Sequence, residues 1–293
     1  MIPGLEAVGF FASAVEKLAS QRHGMTLIKV GGSALDDPQA AANCVRNVSI
    51  LHQMGLPMVL LHGGGKAIDR AMADAGLTPR KVAGRRYTDT QTLLLVVQVL
   101  EQINRTLTQQ LQQKGVAAVS ALDLQPYPVQ GELLRLTGAD GTSHDLGWVG
   151  TVATVDRPLL EKTIWERKQL PVFPCLAAYT ASPNGWLNVN ADTLAACLGG
   201  ALAVQRAIFL TDTPGVLRDP QQPTSLISEL TVKAAQELIT QGVISGGMIP
   251  KVEACLEALA AGVPTAVILD GRRPFALLEL FLDIPASGTR FRS

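Results

Sequence analysis

The sequence predicts an α/β protein, a three-layer α/β/α sandwich around a central, mainly parallel sheet, arranged in two lobes. Two patterns carry the layered fold. Apolar runs of strand length alternate with longer stretches of helical periodicity, and those runs are apolar throughout rather than at every second residue. Strands with that pattern are buried on both faces, as in parallel sheets covered by helices on either side. Length supplies the third observation: 293 residues, 47% of them hydrophobic, are enough for roughly two domains or one large two-lobed unit.

Taken in chain order, the stretch LEAVGFFASAV has the apolarity of a signal peptide, but no Lys or Arg precedes it, so the positive leader segment is missing. Leu5, Val8, Phe11, Val15 and Leu18 fall on one helical face. A docked amphipathic helix is therefore expected in an extension spanning residues 1–24. Strands are expected at 26–30, 57–61, 117–122, 170–177, 207–212 and 264–270, and helices near 38–54, 66–75, 90–114, 191–203, 231–241 and 250–261. Between about 129 and 155, short alternating pieces flank the turn-rich TGADGTSHD, which reads as a β-hairpin excursion and a candidate lid. Ser, Pro, Asn and Gly cluster at 179–188. A lobe boundary is placed there, dividing the chain into 25–187 and 188–293.

The 25 basic and 25 acidic side chains cancel, and no block of like charge stands out. Neither nucleic acid nor a membrane surface is an expected partner, and no apolar run reaches the roughly 18 residues of a membrane span. Cys44, Cys175, Cys197 and Cys255 are widely spaced with apolar neighbours. They are expected to be reduced core residues of a cytoplasmic protein.

The chemistry concentrates in glycine-bearing loops. LLHGGGKAID follows a strand, but Leu60 stands where a Walker A loop needs its first glycine and Ala67 where it needs Ser or Thr, so the P-loop is excluded. What remains is a strand end opening into a helix, with free backbone N–H groups able to converge on an anion. A tight turn needing positive φ is the alternative. IKVGGSAL repeats the arrangement with Lys29 just ahead of Gly31 and Gly32, and a lysine inside an apolar strand calls for an anionic partner unless it snorkels out. In ISGGMIPKVEA, Pro250 suits a first helical turn, which sets Lys251 at the positive end of a helix, where an added anion would relieve it. Asp192 or Asn190 could cap the helix after LNVNADTLAA. Thr211 and Asp212 end a buried strand, where open α/β sheets bind ligands. GRRYTD offers a guanidinium able to clamp a carboxylate through two hydrogen bonds.

In this order the segments IKVGGSAL, LLHGGGKAID, GRRYTDTQTL, DLGWVGTV, LNVNADTLAA, FLTDTPGVL, GGMIPKVEACLEAL and ILDGRRPFALLELF resemble the amino acid kinase family. Within it they are most similar to the branch that phosphorylates the side-chain carboxylate of N-acetyl-L-glutamate in arginine biosynthesis. NVNAD with GGMIPKVEA is the specific pair. The resemblance implies the amino acid kinase fold, ATP with Mg2+, and a set of roles carried over by position. Lys29 and Lys251 would stabilise the transferring phosphoryl group, with Asp192 between them orienting both. Gly64 and Gly65 would donate backbone N–H groups beside the acyl substrate, Arg86 would clamp its α-carboxylate, and Asn188 would add a contact. Gly31, Gly32, Thr211, Asp212, Gly246, Gly247 and Met248 would hold the nucleotide; no residue is assigned to a metal. None of the four histidines need act as a base, because a carboxylate with a pKa near 4.3 is already ionised at neutral pH.

The chain departs from the family's pattern in places. GRRYTD stands where GLRVTD is expected, AVSALDLQ replaces a glycine-containing segment, and the end reads PASGTRFRS. The tyrosine also resembles kinases that act on aminoadipate or glutamate held by a small acidic carrier protein. A catalytically silent, arginine-sensing scaffold is the alternative of another class. The extension resembles the helix through which arginine-inhibited members join dimers into hexamers, so a homodimer is expected, with hexamers where that helix operates.

Overall fold

The computed structural model describes residues 5–82, 84–137, 143–285 and 287–293. Its centre is an eight-stranded sheet in the order Glu229–Thr231, Thr289–Arg292, Thr265–Asp270, Arg206–Thr211, Thr26–Val30, Met58–His62, Leu170–Pro174, Ala118–Ser120. Neighbours run parallel except Thr265–Asp270 against Thr289–Arg292. The two short strands at that edge carry too few apolar residues to stand out in the sequence, and they form because the sheet edge offers them partners.

Alternation along the strands sorts the core into two layers. Leu27, Val59, Leu61, Ala207 and Phe209 face one side with Ile68, Leu93, Val96, Leu100, Leu194 and Val252 from its helices. Ile28, Val30, Leu60, Ile208 and Leu210 face the other, against Cys44, Val48 and Leu51 of helix Pro38–Gln53 and Leu277 of helix Ala276–Phe281. The three-layer sandwich expected from the apolar runs is therefore present.

The run expected at 170–177 is two strands. Leu170–Pro174 stays in the main sheet, whereas Leu176–Ala178 joins Trp186–Val189, Val149–Val155 and Val129–Leu133 in a second sheet that closes on itself. The excursion at 129–155 is built from the antiparallel pair Val129–Leu133 and Val149–Val155, with a smaller pair, Leu136–Thr137 and Ser143–His144, beyond it. Its tip, 138–142, lies outside the described residues. The Ser/Pro/Asn/Gly cluster is the turn of a hairpin in this sheet, with Tyr179 N donating to Gly185 O at 2.8 Å.

The N-terminal helix, Leu5–Ser20, forms where the periodicity placed it, but much of its described apolar face is not docked. Val8 is 63% and Phe11 68% exposed, Val15 is half-buried, and among the described side chains of that face only Leu18, 6% exposed, is buried. Its end is held by Lys17 Nζ on Asp283 Oδ2 at 2.6 Å and by the Gln21 amide, just past the helix, donating to Phe281 O at 2.7 Å. Helical spacing shows that a face is apolar; it does not show that the rest of the chain covers it. Among the described residues no helix is long and apolar enough to cross a membrane.

Candidate active site

The site forms at the carboxyl ends of the central strands, where the chain turns from strand into helix. Strand Thr26–Val30 is followed by Gly31, the N-cap of helix Gly32–Asp36; strand Met58–His62 is followed by Gly63 and then Gly64, the N-cap of helix Gly65–Asp74. The strands pair in register, Val30 opposite His62, so the two glycine loops lie side by side. A Cβ on Gly32 would stand 3.2 Å from Gly65 N, and one on Gly64 only 2.8 Å from Leu100 Cδ2 and 3.2 Å from Ile103 Cδ1. None of Gly31, Gly32, Gly63, Gly64 or Gly65 has positive φ. The turn explanation for these glycines is thereby set aside. Gly64 and Gly32 are small because neighbouring chain packs against them, and Gly65 faces open space.

Lys29 stands on the face of its strand shared with Leu61 and Phe209. Its side chain is 12% exposed, and Nζ sits 2.7 Å from Asp192 Oδ1. That carboxylate is available because Asn190 does the capping: its Oδ1 accepts from Asp192 N at 2.8 Å and Thr193 N at 3.0 Å. Asp192 in the first turn of helix Ala191–Ala201 also complements the helix dipole. Within this segment Asn190 caps the helix and Asp192 pairs with Lys29.

A cleft of about 350 Å³ opens in front of this pair. Its walls include Lys29, Gly32, Gly64, Gly65, Arg86 and Asn188. Arg86 is steered by Asp69 at 2.6 Å, with its Nη2 donating to Gly65 O at 3.4 Å. Lys81 and Arg85 also line the cleft. GRRYTD contains the second guanidinium in plain view, but nothing in the sequence indicates that the short hairpin of Lys81–Val82 and Arg85–Arg86 folds over the cleft.

Lys251 is placed differently from the expectation that Asp192 orients both lysines. Its Nζ meets Asp212 Oδ1 at 2.7 Å and Thr213 Oγ1 at 3.4 Å. Strand Arg206–Thr211 delivers Asp212 beside the first turn of helix Ile249–Ala260, so Lys251 takes the adjacent carboxylate. Pro250 does sit in that first turn, and Gly246–Met248 forms a 3-10 turn ahead of it, Gly246 at φ +54°. The Lys251 ammonium holds the Asp212 carboxyl below its ordinary range, chiefly through that hydrogen bond. Thr211 turns its hydroxyl to Thr213 Oγ1 at 2.9 Å. The two lysine sites are linked by packing of helix Ile249–Ala260 against helix Ala191–Ala201. Cys255 on the former has its thiol pushed well above the usual range, first by burial and then by Asp192, with Lys29 opposing.

His62, at the end of its strand, is fully buried. Its Nδ1 lies 3.1 Å from Gly63 O and its Nε2 3.1 Å from Asn104 Nδ2, and burial drives its pKa down to about 4. It is a neutral structural group at neutral pH. All four cysteines are free, and Cys44, Cys175 and Cys255 are buried.

The chain matches the model of the amino acid kinase family over residues 24–270. An acetylglutamate kinase of Prochlorococcus marinus (strain NATL1A) is 37% identical over 271 residues, 92% of this chain and 85% of that protein. One from Acaryochloris marina (strain MBIC 11017) is 37% identical over 287 residues, 97% of each chain. Among solved structures, N-acetylglutamate synthase from Neisseria gonorrhoeae, complexed with coenzyme A and N-acetyl-glutamate, aligns over 98% of this chain with a TM-score of 0.83 at 22% identity. This chain spans 63% of that longer one. Carbamate kinase from Giardia lamblia bound to AMP-PNP aligns over 92% of this chain and 98% of its own, with a TM-score of 0.62 at 14% identity. At those identities the two structures speak to the fold alone.

Proposed function

The chain belongs to the amino acid kinase family, and on that premise we propose that it transfers the γ-phosphoryl group of ATP to the side-chain carboxylate of N-acetyl-L-glutamate. The observation that carries this reading is the single cleft shared by Lys29, Gly64, Gly65, Arg86 and Asn188, with Asp192 bound to the lysine. It offers an ammonium, exposed backbone at a helix N-terminus, a guanidinium and an amide, which suits an acyl amino acid with two carboxylates. The relatives that are 37% identical, acetylglutamate kinases by name, point the same way.

The reaction needs no general base. A carboxylate oxygen already ionised at neutral pH forms the new bond to the γ-phosphorus, the bond from that phosphorus to the bridging oxygen breaks, and ADP departs with the electron pair. The barrier is charge: two anions must meet, so catalysis comes from positioning and from cations about the transferring oxygens. In this reading Lys29 and Lys251 supply those cations. Arg86 takes the α-carboxylate as a fork, Asn188 adds a further contact to the acceptor, and Gly64 with Gly65 serve the acyl substrate and the transferring group. The nucleotide lies over Gly31, Gly32, Thr211, Asp212 and Gly246–Met248. Asp212, half exposed at its strand end, is a carboxylate available to Mg2+, which would otherwise take its oxygens from the phosphates. Lys251 would exchange Asp212 for phosphate when nucleotide binds. The assembly in this reading is a cytoplasmic homodimer, and the exposed face of the N-terminal helix supports hexamers.

One observation favours a second reading. Lys81, Arg85 and Arg86 gather on the hairpin that lines the cleft, and a local basic cluster would suit an acidic carrier protein despite the neutral overall charge. Measuring ADP release with N-acetylglutamate, carrier-bound aminoadipate and free aminoadipate separates the readings. Turnover with N-acetylglutamate alone is expected. Turnover only with a carrier-bound acceptor would replace the first reading with the second, and none with any acceptor would favour a silent scaffold.

A further inference from the structure

Thr88 does not line the cleft, yet it ties together two residues that do. It is fully buried, and its hydroxyl works in both directions, donating to Arg86 O at 3.0 Å and accepting from Asn188 Nδ2 at 3.1 Å. Its backbone is engaged as well: Thr88 N donates to Leu146 O at 3.0 Å, and Trp148 N donates to Thr88 O at 2.6 Å. Trp148 O in turn accepts from Asn188 N at 3.0 Å. Three segments distant in sequence therefore converge on one side chain and its peptide: the hairpin bearing Arg86, the loop at 145–148, and strand Trp186–Val189. Gly147 permits the approach. It holds φ +65°, and a Cβ there would overlap the Thr88 carbonyl.

Packing alone does not call for a hydroxyl at such a position. Valine has the same β-branched shape and would bury without needing partners, whereas a buried hydroxyl is tolerated only when its hydrogen bonds are made. Here both are made, and both go to residues that line the cleft. The bond from Asn188 fixes the plane of its amide, and hence which polar atom is turned toward a bound molecule. The bond to Arg86 O fixes the backbone from which the guanidinium projects, while Asp69 holds the other end of that side chain.

We propose that Thr88 is a positioning residue for the acceptor amino acid, setting the Arg86 guanidinium and the Asn188 amide in mutual register; this rests on the reading that those two groups bind the acceptor. Steady-state ADP release tests it, with KM measured separately for N-acetylglutamate and for ATP. Thr88→Val and Thr88→Cys should each raise KM for N-acetylglutamate on the order of tenfold, leaving KM for ATP and kcat within about twofold. Thr88→Ser, which keeps the hydroxyl, should restore the parent value. The cysteine and serine variants differ by one atom, so they decide the matter even if the valine variant does not fold. Parent-like KM in the cysteine variant would overturn the proposal, and so would an equal loss in all three variants that follows melting temperature. Arg86→Lys and Asn188→Ala run alongside locate any failure. If they raise KM for N-acetylglutamate while the Thr88 variants do not, only the role of Thr88 falls. If they too leave it unchanged, the placement of the acceptor falls and takes this inference with it.

Discussion

Lys29 Nζ rests 2.7 Å from Asp192 Oδ1, one group at the end of a central strand and the other in the first turn of a helix, with the lysine side chain only 12% exposed. The pair keeps a charge on the wall of the cleft that the apolar strand could not carry alone.

Asp192→Asn should therefore cost both stability and turnover, because it leaves an ammonium with little water and no carboxylate. A loss of about 1–3 kcal/mol in unfolding free energy is expected, together with a fall in kcat. Lys29→Met in the same background should restore part of the stability but none of the activity. A double-mutant cycle in urea, read beside kcat, checks this; strictly additive stabilities would show that the pair is not coupled.

Lys251→Ala should lower kcat at least ~10²-fold, the scale for loss of one electrostatic stabiliser of the transferring group. Its partner Asp212 is partly exposed, so the fold should tolerate the change. Near-parent turnover would remove Lys251 from the mechanism.

The glycines of HGGG should separate by position. Gly64→Ala places a methyl 2.8 Å from Leu100 Cδ2 and should destabilise by about 1–3 kcal/mol through overpacking. Gly65→Ala meets nothing within 4 Å and should change stability by less than about 0.5 kcal/mol. Thermal melts of the two variants check the contrast, and equal melting temperatures would contradict the packing explanation.

His62 should make the fold acid-sensitive. Its folded pKa, about 4, lies below the ordinary 6.5 because burial disfavours the cation. Between those values the unfolded chain binds the proton and the folded chain does not, so stability falls as pH drops from about 6.5 toward 4 and levels off below. The full window is worth ~3 kcal/mol. His62→Gln should flatten this part of the profile in urea melts at pH 7, 5.5 and 4.5; an unchanged slope would exclude His62 as its source.

Much of the fold can be read from local pattern. The buried runs at 26–30, 207–212 and 264–270 became the centre of the sheet because a strand apolar on both faces has nowhere else to go. The missed edge strand Thr289–Arg292 has two arginines in four residues and is specified by its neighbour. Residues that reach the cleft from a central strand or the turn behind it, such as Lys29 and Gly64, are visible as conflicts with their surroundings: glycines where one would suffice, a cation where none belongs. Thr88, Lys81 and Arg85 raised no such conflict, since a threonine or a surface cation is unremarked until its neighbours are known.

The sequence by itself determined the buried central strands and the main helices, which residues are costly where they stand, and the family to which they conform. Tertiary structure alone decided the partners: Asp192 with Lys29, Asp212 with Lys251, Thr88 between Arg86 and Asn188, and the N-terminal helix left with much of its described apolar face uncovered. The reason is physical. Burial and periodicity act along the chain and leave their trace in it, whereas an ion pair or a hydrogen bond forms between whatever groups the fold brings within about 3 Å, and many pairings are compatible with one sequence until the sheet order selects among them.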